Sequence, residues 1–207
     1  MSQARSHRLF AAVYDRINAP LEREVLRPRR KRLLPQLGGE VLEVGAGTGA
    51  SLPYFERAAR VVASEPDPAM RLRMRPSLAE ARVPVEMSDA AAERLPFDDA
   101  SFDAIVFVCT LCTVADPERA LAEARRVIRD GGRLFALEHV RGEARLARWQ
   151  DRITPLWSRI AAGCHPNRET TAIIEAAGFR FERIERFDPF PAWIPTRPMV
   201  ELVAHPV

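Results

Sequence analysis

Three carboxylates and a run of glycines hold most of the chemistry legible in this sequence. Glu43-Val44-Gly45-Ala46-Gly47-Thr48-Gly49 follows directly on a short apolar run. Glycines there let the backbone turn tightly and let a ligand approach with no Cβ in the way. Gly45-Ala46-Gly47-Thr48-Gly49-Ala50 also satisfies the loose dinucleotide-loop pattern, which alone does not separate one nucleotide cofactor from another. The neighbouring acids narrow the choice. Glu43 stands where nicotinamide-binding loops usually have an apolar residue, and its carboxylate can organise the loop and a ligand's ammonium end. Glu65 comes 16 residues after Gly49 and closes a second apolar run, where a carboxylate can accept from both hydroxyls of a ribose. Asp89 closes a third run and can accept from an adenine amino group. Acids at the carboxyl ends of three successive strands would meet in one crevice, the place where open α/β sheets bind ligands.

The elements that must hold these residues alternate strand and helix, the pattern of a parallel sheet with crossover helices. Val41-Leu42-Glu43-Val44 predicts the first strand, Val61-Val62-Ala63-Ser64 the second and residues 83–87 a weak third. Residues 102–108 form a near-continuous apolar run suited to a central strand buried on both faces. Residues 133–138 predict a fifth strand. Asp116-Pro117 opens a helix, with Asp as cap and Pro at the first position, and Gly131-Gly132 is expected to stop it. Beyond the fifth strand, residues 142–162 predict a long helix, Asn167 is expected to cap another, and residues 179–187 and 199–204 read as closing strands. Phe10, Val13, Tyr14 and Ile17 recur on one helix face near the N-terminus.

These features together resemble the class I S-adenosylmethionine (SAM)-dependent methyltransferases of the ubiquinone/menaquinone-biosynthesis type. The resemblance rests on Glu-x-Gly-x-Gly-x-Gly, Glu65, Asp89 followed by Leu95-Pro96-Phe97, Ser101-Phe102-Asp103 and Val127-Ile128-Arg129-Asp130-Gly131-Gly132, over residues 39–140. Three further segments are similar to the microsomal thiol methyltransferases, the methyltransferase-like 7 group. They are Cys109-Thr110-Leu111-Cys112-Thr113-Val114, Glu138-His139-Val140 and Gly163-Cys164-His165-Pro166-Asn167-Arg168. The resemblance implies an α/β, Rossmann-like, doubly wound and mostly parallel seven-stranded sheet, with an antiparallel last strand and helices on both faces. It implies a single domain over 1–207: a helical cap at 1–37, a cofactor core at 39–140 and acceptor-side elements at 141–207. It implies SAM as cofactor, lined by Glu43, Gly45, Ala46, Gly47, Glu65, Pro66, Asp89, Ala90 and Val108.

SAM is already activated, so the protein mainly aligns a nucleophile with the methyl group and keeps water away. A base is needed only where the acceptor must lose a proton. His139, just past the fifth strand, is the candidate catalytic base. Glu138 reads as a structural carboxylate or a pocket anchor. Tyr14, Trp149 and His165 are the candidate acceptor contacts, with Trp157 and Trp193 as further apolar walls. Cys164 has no adjacent base in sequence, and Arg168 reads as an exposed first-turn arginine or a partner for an acidic acceptor. The expected reaction is methyl transfer to a small hydrophobic thiol, phenol or amine. A phospholipid or quinone acceptor at a membrane is the alternative, ahead of an NAD-dependent oxidoreductase or a non-catalytic SAM-binding protein.

Composition bounds the rest. The chain has 207 residues, 47% of them hydrophobic, which suits one α/β domain. No run reaches the roughly 18 apolar residues of a membrane span, and no secretory leader pattern opens the chain, so a cytoplasmic location is expected. The net charge is +3, with one lysine, Lys31, among 31 basic residues. That looks like composition bias, and no nucleic-acid partner is expected. The dense run Arg27-Pro28-Arg29-Arg30-Lys31-Arg32 reads as a solvated helix face or as peripheral contact with an anionic membrane. Three cysteines argue against a disulfide framework. Cys109 and Cys112 have metal-pair spacing, but no second Cys/His pair matches it, so they read as buried structural thiols and no metal site is expected.

Overall fold

Among the described residues seven runs fold as strands: β1 (Gly38–Val44), β2 (Arg57–Ser64), β3 (Val85–Ser88), β4 (Phe102–Val108), β5 (Ile128–His139), β6 (Phe179–Phe187) and β7 (Met199–Pro206). The structure is a computed structural model and describes residues 19–191 and 193–207. The strands form one sheet in the order β3-β2-β1-β4-β5-β7-β6. β1 through β5 pair in parallel, and β7 runs antiparallel to both β5 and β6. Because β1 has β2 on one side and β4 on the other, the winding reverses there and leaves a crevice at the carboxyl ends of these strands.

Among the described residues the α-helices are α1 (Arg27–Leu33), which continues a π-helical turn at Glu22–Leu26, α2 (Pro68–Ala79), α3 (Pro117–Val127), α4 (Ala144–Ile160) and α5 (Thr170–Ala176). Two begin for the same reason. Asp67 accepts from the Ala69 N–H at 2.7 Å and Asp116 from the Arg119 N–H at 3.0 Å, each followed by a proline that needs no hydrogen-bond partner for its nitrogen. Three expected boundaries are corrected. α3 stops at Val127, and Ile128 is already extended, so Gly131-Gly132 lies inside β5 as a bend, with Gly131 at φ +77°. The third strand begins two residues later than expected. Asn167 does not cap α5: its amide donates to Asp151 at 3.0 Å, and Glu169 occupies the cap position with no side-chain bond. Between β1 and β2 the crossover shrinks to the 3-10 turn Leu52–Tyr54.

Alternating strand residues fill a core on each face of the sheet. Leu42, Val44, Ile105, Phe107 and Leu134 lie on one side with Leu121 and Ala124 of α3. Val41, Val61, Val106, Phe135 and Leu137 lie on the other with Met74 of α2 and Val25, Leu26 and Leu34 from the N-terminal segment. Each fully buried side chain of this size stabilises the fold by roughly 1.5–3 kcal/mol.

The basic run is divided between the protein and solvent. Arg30 is buried and pairs with Glu22. Arg32 donates twice to the buried Glu201 of β7, at 2.8 and 2.7 Å, Arg29 lies 3.3 Å from the same carboxylate, and Arg183 of β6 also pairs with it. Arg29 also stacks 3.6 Å from the Phe187 ring centroid. Arg27, Lys31 and, despite its pairing, Arg32 are exposed. No helix among the described residues is long and apolar enough to cross a membrane.

Candidate functional site

The crevice at the β1–β4 boundary is built from the glycine loop. Gly45 and Gly47 adopt φ +69° and +57°, backbone that side chains resist. A Cβ on Gly45 would lie 2.5 Å from Thr110 Cγ2, whereas one on Gly47 would enter open space. Gly45 is therefore required by packing and Gly47 by access to a ligand. Glu65, the residue after β2, accepts the Gly47 N–H on Oε2 at 2.9 Å and the Asp67 N–H on Oε1 at 2.8 Å. Burial raises its pKa, and these two N–H groups oppose the rise. Each carboxylate oxygen keeps a lone pair for a further donor such as a ribose hydroxyl. Together with Pro66, Val108 and Thr110, these residues line a cleft of about 300 Å³.

The other expected cofactor residues are less uniform. Glu43 is buried behind the loop, its Oε2 has no hydrogen-bond partner, and burial raises its pKa to about 7. Ala46 and Ala90 are buried and do not line the cleft. Asp89 follows β3 beside Ser88, whose carbonyl accepts the Glu65 N–H at 3.0 Å; its side chain is exposed and outside the cleft lining. The structure thus brings Glu65 to the glycine loop, and Glu43 and Asp89 to its back and flank.

The acceptor side is framed by the turn at 110–114, and that turn is held from two directions. The buried Glu138 carboxylate accepts the N–H groups of Thr110, Leu111 and Cys112 at 2.7, 2.9 and 3.1 Å. Arg168 donates to the carbonyls of Leu111 and Val114 at 2.5 and 2.6 Å. The Cys112 carbonyl accepts the His165 N–H at 2.7 Å, and Thr110 Oγ1 donates to the Val44 carbonyl at 2.9 Å, tying the turn to β1. Arg168 is therefore an internal clamp, not an exposed first-turn arginine.

His139, the candidate base, ends β5 with both ring nitrogens enclosed. Nδ1 lies 3.5 Å from Cys112 Sγ and 3.8 Å from Cys164 Sγ, and Nε2 is buried with no partner. A base acting directly on an acceptor would need one of these nitrogens open to the cleft. The Cys112 thiol and His139 hold Cys164 well below the ordinary thiol range, and Cys112 is pushed up in turn. Burial pulls His139 down, but Cys164 and Glu138 outweigh it and its pKa rises. This corrects one expectation: Cys164 does have an imidazole beside it. The neighbours of Cys112 are His139 and Cys164. Short-spacing rules missed the group because its members come from three elements.

The acceptor contacts disperse. Tyr14 and the helix face around it lie outside the described residues. Trp149 and Trp157 are half-buried on α4, and the Trp157 Nε1 is buried with no partner. Trp193 is 71% exposed and forms no wall. His165 is half-buried, with Nδ1 donating to the Gly163 carbonyl at 2.6 Å. The rest of the cleft lining includes Thr113, Val114, Ala115 and Ala162, which are small and uncharged, together with Cys109 and the carboxylate of Glu93.

Residues 42–136 match the family model described as a methyltransferase domain. The chain is 35% identical over 166 residues to thiol S-methyltransferase TMT1B of Rattus norvegicus, covering 77% of this chain and 68% of that protein. It is 31% identical to thiol S-methyltransferase TMT1B of Homo sapiens, covering 87% and 80%. Among solved structures it resembles geranyl diphosphate C-methyltransferase of Streptomyces coelicolor A3(2), in complex with Mg2+, geranyl diphosphate and S-adenosyl-L-homocysteine. There the TM-score is 0.71 at 15% identity, over 94% of this chain and 84% of that one.

Proposed function

Because this chain belongs to the class I SAM-dependent methyltransferases, in the group of the thiol S-methyltransferases TMT1A and TMT1B, we propose that its acceptor is a small hydrophobic thiol. The protein is an enzyme, its cofactor is SAM, and its fold is the Rossmann-like sheet described above. The acceptor reading is carried by the character of the cleft. Thr113, Val114, Ala115 and Ala162 give it a small uncharged stretch of lining, and among the described residues no imidazole lines it. A cleft with no imidazole, whose carboxylates Glu65, Asp67 and Glu93 each already accept a backbone N–H, favours an acceptor that ionises readily on its own. A thiol of pKa about 8.5 is a few per cent ionised at pH 7, whereas a phenol of pKa about 10 is far less so. In this reading Glu65 and the glycine loop hold the adenosyl end of SAM. The clamped 110–114 turn orients the thiol, and His139 acts from behind that turn by positioning it.

Methyl transfer at saturating SAM to a series of small thiols of graded pKa, a phenol, and phosphatidylethanolamine vesicles tests this. The expected result is turnover of the thiols, with kcat/KM rising with pH along each acceptor's own ionisation. Turnover confined to the phenol or the lipid would overturn the proposal. So would a rise at one fixed pH whichever thiol is used.

A further inference from the structure

Two cysteines and a histidine converge behind the acceptor side of the cleft. Cys112 lies on the turn after β4, His139 at the end of β5 and Cys164 on the turn after α4. All three are buried, and Cys112 Sγ, Cys164 Sγ and His139 Nδ1 all lie within 4.8 Å of one another. A tetrahedral zinc site has Zn–S near 2.3 Å and Zn–N near 2.0–2.1 Å, which puts a sulfur and a nitrogen ligand about 3.5 Å apart. The two sulfur–nitrogen distances are 3.5 and 3.8 Å. The spacing is that of ligands around one small cation.

We propose that Cys112, His139 and Cys164 form a binding site for a single thiolate-preferring d10 cation, zinc in the first instance. Two sulfurs and an imidazole suit such an ion, and oxygen-seeking magnesium or calcium would not take this set. Three protein ligands leave a fourth position open. Thr113 and Ala162, which line the cleft, are chain neighbours of residues at or beside the ligands, so the ion would fasten the acceptor wall from behind. His139 Nε2 has no acceptor to orient it. Metal-bound histidines usually have such a partner, so the expected affinity is below that of a fully supported four-ligand structural site. The proposal does not depend on the identity of the methyl acceptor, because its readout is metal binding.

The test uses the full chain, purified reduced and without oxygen. It is titrated with Zn2+ against a competing chelator, and separately with Co2+. The expected result is one ion per chain, with the near-ultraviolet sulfur-to-cobalt charge-transfer band and the visible bands of a tetrahedral site. Cys164→Ser and His139→Gln should lower zinc affinity by more than the roughly 10–100-fold seen when only a partner around a ligand is lost. Should either variant fail to fold, alkylation of the wild-type chain read by peptide mass spectrometry replaces it. Zn2+ should then protect Cys112 and Cys164 and leave Cys109 unprotected. Folded, reduced protein that shows no cobalt–sulfur band and no zinc-dependent protection would overturn the site.

Discussion

At the scale of single residues, the acids near the glycine loop divide by how well their oxygens are satisfied. Glu65 has a backbone donor on each oxygen, while Glu43 is buried with one oxygen unpartnered. The fold therefore accepts Glu43 more readily as a neutral acid, and its pKa rises from the usual 4.5 to about 7. A raised folded-state value means that the acid form favours folding. The contribution is complete below the unfolded value near 4.5 and is lost as pH rises through 7. Glu43→Gln keeps the shape and removes the titration. It should match the wild type in stability near pH 4.5 and exceed it at pH 8 by an amount approaching about 3 kcal/mol. Urea unfolding at the two pH values checks this, and equal stabilities at pH 8 would contradict the burial argument. The place of both acids beside the glycine loop was legible in the sequence, because each follows directly on a short apolar run, and of the two only Glu65 lines the cleft. Their different degrees of satisfaction were not, because that depends on which backbone donors the folded loop turns toward them.

At the scale of elements, Glu201 decides whether the N-terminal segment docks. Its carboxylate is fully buried on β7 and is met by Arg29, Arg32 and Arg183 from α1 and β6. Removing one partner of a buried ionic group strands the others and typically costs roughly 3–5 kcal/mol. Because Arg32 and Arg183 are nearly half exposed and rehydrate, Glu201→Ala should lose less than that, and hydrogen exchange should rise first in α1. Loss of stability with α1 still protected would place the docking energy in Val25, Leu26 and Leu34 instead. The start of α3 and the burial of β4 were readable from local patterns. The pairing of the basic run with Glu201 was not, because that acid lies 169 residues away from Arg32. The Cys112–His139–Cys164 group escaped for the same reason: each ligand sits on a different element, and no short spacing unites them. The available signal was that all three fall in the segments similar to the thiol methyltransferases.

At the scale of the whole molecule, the mostly parallel seven-stranded sheet and its antiparallel last strand agree with the sequence expectation, and the switch point falls where the glycine loop places it. SAM bound there joins the ends of β1 and β2 and should stabilise the entire domain. At a SAM concentration about 100 times Kd the gain is about 2.7 kcal/mol, visible as a rise in Tm. Glu65→Ala removes a charge-assisted acceptor worth roughly 1.5–3 kcal/mol. At the same SAM concentration it should therefore lose most of that rise. An unchanged shift would remove Glu65 from the cofactor site.

Glu138 and Arg168 grip the 110–114 turn through its main chain alone. Since the amides and carbonyls are what they grip, these two clamps act whatever side chains stand at Thr113 and Val114. Homologues can thus retune which molecule they modify by exchanging a few side chains on a fixed mount, and drift in substrate preference across such a lineage should be cheap.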